Sequence, residues 1–199
     1  MKRILFIMFC LLSALVSPSL KAERPYYNIY KLSARNIVVR QCSFPIVYKI
    51  NREVPDRQKN LIIRSFEYWD NLTEKNLFEY GGTTHLRAGG PLSRNIIVVG
   101  ITNEPRTSLT KTWLAYTTRS FYDGSTACIT RKGDIKIFRP TIYKLDDVFE
   151  SIIRHEVGHT LGLLHNLDPE GLMFRTIKDT DIKKELNEWE LNAFKWIYR

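Results

Sequence analysis

The chain has four histidines, and three of them stand within HEVGHTLGLLH, residues 155–165. His155 and His159 are four positions apart, so on an α-helix both side chains project from one face and can hold a single ion. Gly162 follows, and glycine takes a positive φ without steric cost, which lets the chain turn and bring His165 to the same ion from the far side. Glu156, next to His155, is displaced around the helix. It is too close in sequence to be the third ligand and is placed to hold a water beside the metal. Three neutral imidazoles with one open position is the catalytic pattern for zinc, because a structural site closes all four positions. In such a site zinc lowers the pKa of its water to about 7, and Glu156 is the group to take that proton and pass it to a leaving amine.

The surrounding pattern supplies a scaffold for that helix. Asp147 is the expected N-cap, with Glu150 three residues on as its capping-box partner. Ile152, Ile153, Val157 and Leu161 form the apolar stripe, and Gly162 is the expected stop. Upstream, FPIVYKI (residues 44–50) alternates as a strand does. Pro55 opens a helix carrying Leu61, Ile62, Phe66 and Trp69 at helical spacing. Gly81–Gly82 and Gly89–Gly90–Pro91 are expected to punctuate a loop. NIIVVGI (95–101) reads as a buried central strand, WLAYTT (113–118) and DIKIF (134–138) as further strands, and residues 186–198 as a closing helix. Strands with interleaved helices predict an α+β domain.

Composition bounds the remaining possibilities. A chain of 199 residues, 44% hydrophobic and 26% charged, has room for one domain with a real core and is too apolar for a disordered chain. Lys2 and Arg3 precede an apolar run, Ile4–Val16, and a small-residue exit ending at Ala22. These are the parts of a secretory signal, and the run is shorter than the roughly 20 residues a permanent span needs. The expected organisation is a signal over 1–22, a short lead-in or pro-segment over 23–40 and the domain over 41–199, secreted or periplasmic, with no membrane span in the mature form. Loss of 1–22 removes Lys2, Arg3 and Lys21 and no acid, so the net charge falls from +9 to +6. That suits an anionic surface and implies no specific nucleic-acid site. Cys10 leaves with the signal; Cys42 and Cys128 remain as an even pair in an oxidising compartment, where a disulfide between them is expected.

HEVGHTLGLLH followed by NLDPEGLMF resembles the zinc helix and Met-turn of the metzincin zinc metalloproteases, most closely the matrixins, the matrix-metalloprotease family. The order FPIVYKI, Trp69 helix, NIIVVGI, WLAYTT, DIKIF and LNEWELNAFKWIYR is similar to that family's over residues 41–199. The resemblance implies a zincin fold: a twisted, mixed five-stranded sheet with an active-site helix and a C-terminal helix. It implies a zinc endopeptidase acting on protein or peptide substrates, with His155, His159 and His165 as ligands, Glu156 as base and Met173 as the floor beneath the metal. It also implies that the edge strand around Leu114 and Ala115 pairs with an extended substrate. The segment after Met173, beginning at Phe174, would wall the pocket for the residue following the cut. The chain departs from the family in several places. His85 alone is left for a second, structural zinc, so one Zn2+ is expected; calcium has no support in the residues. The sequence after the Met-turn reads Met173-Phe174-Arg175-Thr176, without the family's Pro and Tyr. No long pro-domain is expected. Cys42 can be read as a cysteine that caps the zinc, as in matrixin pro-segments, or as half of the disulfide; its place beside a needed strand favours the latter. A monomer is expected.

Overall fold

The computed structural model describes residues 31–32, 37–90, 96–104, 114–121, 129–177 and 182–198. The apolar run at residues 4–16, the expected cut after Ala22, and Cys128 lie outside them. The described chain begins with β1 (Lys31–Leu32) and β2 (Ile37–Val38), an antiparallel pair in the lead-in. Then come β3 (Ile46–Asn51), α1 (Asp56–Asp70), β4 (Phe78–Thr84), β5 (Ile97–Thr102), β6 (Ala115–Phe121) and β7 (Ile129–Phe138). A 3-10 turn at Arg139–Tyr143 leads to α2 (Asp146–Thr160), and α3 (Glu188–Ile197) closes the chain.

Five strands form one mixed sheet in the order β4-β3-β5-β7-β6. The first four run parallel, and β6 pairs antiparallel with β7 at the edge. The α+β class expected from the residues is observed, and the sheet is the mixed five-stranded one that the resemblance implied. In β3 the alternation of β-branched and aromatic residues becomes an alternation of buried and half-buried positions. Ile97, Val98 and Val99 of β5 are fully buried, as a strand covered on both faces requires.

Helix α1 buries Leu61, Ile62, Phe66 and Trp69 because their spacing puts them on one stripe. Phe66 stacks on Tyr48 of β3, with centroids 3.8 Å apart, and meets Phe78 of β4 edge-on. Trp69 is fully buried and donates its indole N–H to the Arg154 carbonyl of α2, 3.0 Å away. A buried tryptophan of this kind is worth about 3–5 kcal/mol against alanine. The two helices therefore lie side by side, and α2 rests against β6 and β7. No helix among the described residues is long and apolar enough to cross a membrane.

Two expectations are corrected. Gly81 and Gly82 are not a loop; they lie inside β4, where the register against β3 shifts and Gly82 takes φ +80°. The glycine pair makes a bulge in an edge strand, a use of glycine that local composition does not distinguish from a turn. Asp147 is not the N-cap of α2. Leu145 holds that position with no side-chain cap, and Asp146 and Asp147 both sit in the first turn. There Asp146 pairs with Arg57 at 2.9 Å and Asp147 with Lys184 at 2.6 Å, while Glu150 pairs with Arg154 at 2.8 Å instead of reaching back. Carboxylates in a first turn already favour the positive end of the helix, so the helix starts two residues earlier than expected without a side-chain cap. The capping box is instead at α3, where Asn187 accepts from the Glu190 amide and Glu190 accepts from the Asn187 amide.

Candidate active site

Helix α2 carries His155 and His159 one turn apart, with ring centroids 4.7 Å from each other. The helix ends as its glycine requires. Leu163 donates its amide to the Gly158 carbonyl and Gly162 to the His159 carbonyl, both at 3.1 Å, with Gly162 at φ +98°. This Schellman closure reverses the chain and sets His165 opposite the helix pair. The turn is held from outside as well. Gln41 donates its side-chain amide to the Thr160 carbonyl at 3.1 Å, and the Tyr198 hydroxyl donates to the Leu161 carbonyl at 2.5 Å.

The three imidazoles each offer a nitrogen, all within 4.8 Å of one another. Nε2 of His159 and Nε2 of His165 are 3.2 Å apart. Tetrahedral zinc with bonds of about 2.0–2.1 Å places its ligand nitrogens roughly 3.3–3.4 Å apart, close to the His159–His165 spacing. The tautomers agree. Nδ1 of His155 is 2.8 Å from the Leu172 carbonyl, and Nδ1 of His159 is 2.8 Å from the Leu163 carbonyl. A carbonyl only accepts, so each Nδ1 carries the proton and each Nε2 presents its lone pair to the metal position.

His155 is fully enclosed, and burial pushes its imidazole down to about 4, helped by His165 and opposed by the bond to Leu172. The ring is therefore neutral, as a ligand must be, across the ordinary pH range. In the chelator-treated chain the ordinary value of 6.5 returns on unfolding. Between those pH values the unfolded chain binds a proton that the folded one refuses. Stability of the metal-free chain is thus full above pH 6.5 and is expected to fall by roughly 3 kcal/mol as pH drops to 4. Urea midpoints measured against pH check this, and a flat profile over that window removes the assignment.

Below the metal position, Met173 is fully buried. A methyl group at Gly158 would sit 2.6 Å from the Met173 sulfur and 2.8 Å from the Trp69 ring, so the Met-turn packs directly against the helix between the two histidines. Glu190 of α3 anchors this turn, accepting from the amides of Leu172 (2.9 Å) and Met173 (2.8 Å) and from the Asn166 side chain (3.1 Å). Burial raises the Glu190 carboxyl above its ordinary value, and these bonds with that from Asn187 pull it back. Glu190 does not stand out as a site residue in the sequence. Its N-x-x-E signature was legible as a capping box, but the long-range bonds to the Met-turn were not.

A cleft of about 510 Å³ opens over the histidines. Leu114, Ala115, Tyr116 and Thr117 line one side, Ile152 and Glu156 the helix side, and Arg175, Thr176 and Ile177 the other wall. Glu156 is 6% exposed, and its carboxylate Oε2 accepts from the Thr117 hydroxyl at 2.6 Å. Leu114, Ala115 and Glu156 thus share one cleft with the triad, and Met173 lies beneath it. Phe174 does not line this cleft; it borders a small adjoining cavity with Ser151, Leu172 and Lys183. His85 is exposed and apart from the triad. Cys42 is disulfide-bonded, and its expected partner Cys128 lies outside the described residues.

Residues 107–199 match the family model for matrixin, the M10 peptidases. Over these residues, just under half of its length, the chain is matrixin-like. Archaemetzincin from Methanopyrus kandleri is a solved structure similar to it, at 11% identity and a TM-score of 0.48, over 77% of this chain and 95% of that one. No curated protein sequence matches the chain. The matrixin similarity supports a zinc metallopeptidase-type function, with the histidine triad as its candidate metal site.

Proposed function

We propose that this chain is a secreted or periplasmic zinc endopeptidase that cuts extended protein segments, with Glu156 as general base. The observation that carries the reading is the sharing of one cleft by the histidine triad, Glu156 and the edge strand β6. His155, His159 and His165 hold the ion, which when bound polarises the scissile carbonyl and acidifies a water. An extended peptide lies along β6 and pairs through backbone hydrogen bonds at Leu114 and Ala115. Glu156 takes the proton of the attacking water as its oxygen bonds to the carbonyl carbon. It then delivers that proton to the amide nitrogen as the C–N bond breaks. Arg175–Ile177 walls the pocket, and Phe174 lines the small cavity beside that wall. Arg175 is the one cation among the described lining residues, which favours an acidic substrate side chain on that side. A single structure-stabilising disulfide between Cys42 and Cys128 accords with an oxidising destination.

A peptide-library cleavage profile of the mature chain, run with and without chelator, tests the reading. Cleavage is expected within extended peptides, to disappear on chelation and to return with zinc, at about one zinc per chain. Cleavage indifferent to the chelator overturns it, and two zinc ions per chain overturn the single-site assignment.

A further inference from the structure

Thr117 stands on the strand that is to receive substrate and reaches across to the helix that carries the base. Its hydroxyl oxygen lies 2.6 Å from Oε2 of Glu156 and 3.0 Å from the main-chain oxygen of the same residue. A hydroxyl has one proton for these two acceptors. The carboxylate contact is the shorter, and at that length it matches a charge-assisted O–H···O⁻ bond, about twice as strong as a neutral one. Thr117 is half-buried and Glu156 is 6% exposed, so water does not readily replace the bond if it is lost.

We propose that Thr117 is a positioning residue for Glu156, fixing the rotation of its carboxylate and the register of strand β6 against that carboxylate. The inference rests on Glu156 acting as the base. The physical need is specific. The terminal torsion of a glutamate is broad and roughly two-fold, so packing alone defines it poorly, whereas a hydrogen bond from a fixed donor defines it well. The donor here belongs to the peptide-pairing strand itself. A substrate seated on β6 is therefore placed relative to the group that serves its scissile bond, and a shift of strand against helix is resisted at the point where it would matter most. Threonine also suits the position as a strand residue, and valine would preserve its shape without the donor.

The test is a set of variants in the zinc-loaded mature chain: Thr117→Val, Thr117→Ala, Thr117→Ser and Glu156→Ala. Loss of the hydroxyl is expected to lower kcat by roughly 10-fold, the scale of a hydrogen bond to a charged group, with KM changed by less than about 2-fold. Thr117→Ser is expected to recover kcat to within about 3-fold of the parent. A second readout is independent of turnover. In chelator-treated protein, the fall in melting temperature caused by Thr117→Val is expected to be smaller in the Glu156→Ala background than in the parent, because the partner is already gone. Hydroxyl-free variants with parental kcat, a serine variant that restores nothing, or additive melting shifts each overturn the inference while the Glu156 reading stands. Parental cleavage by Glu156→Ala overturns both.

Discussion

Replacement of Glu156 by alanine is expected to lower kcat by about 10²–10⁴-fold, the range that a positioned general base supplies. The zinc content is expected to stay at about one ion per chain, because the ligands are held by other means. His155 and His159 are oriented by the Leu172 and Leu163 carbonyls, and His165 by the turn at Gly162. None of these contacts involves the Glu156 side chain. The comparison that matters is turnover of a denatured-protein panel beside a metal assay on the same preparation. A variant that binds zinc and cleaves as well as the parent removes Glu156 from the mechanism. One that loses both zinc and turnover means the carboxylate holds up the site rather than working in it.

Substitution of Gly162 by alanine is the second change with a large expected effect, and it acts through the backbone. The residue sits at φ +98°, where an L side chain is strained, and a methyl group there would lie 2.4 Å from the Val39 carbonyl oxygen. Backbone strain of about 1–3 kcal/mol and overpacking of about 1–3 kcal/mol both apply, giving a loss of roughly 2–6 kcal/mol. Neither strain is relieved without moving the turn that sets His165 against Nε2 of His159, 3.2 Å away. Zinc affinity is therefore expected to fall along with the melting temperature. Competition against a chromophoric chelator measures the first, and thermal denaturation the second. Parental values for both would mean that the Schellman turn can be remade without glycine.

Much of this site was legible in the residues because its determinants are local. Two histidines one helical turn apart, a glycine at the helix end and a third histidine three residues on define a geometry that needs no distant contact. The stripes of α1 and α3 and the apolar run of β5 were legible for the same reason. What was not legible depends on partners far along the chain. The glycines of β4 signal a turn or a bulge equally, and pairing with β3 decides. Thr117 reads as an ordinary strand residue until α2 is laid beside it. Glu190 declares its capping box, but the Met-turn amides it also serves lie 17 and 18 positions earlier. Phe174, named for its place after Met173, faces a side cavity because the wall of the main cleft starts one residue later, at Arg175.

The clasp on the Gly162 turn bears on the order in which the molecule acquires its chemistry. His155 and His159 come together as soon as one helix forms, but the turn that delivers His165 is braced by Gln41, 119 positions from its Thr160 partner. Closing a loop of that length is entropically costly and belongs to the late, non-local part of folding. A nascent or partly folded chain is thus expected to hold two ligands and lack a settled third. Hydrolytic competence then arrives with completion of the fold, so a half-made chain is a poor protease toward itself and its neighbours.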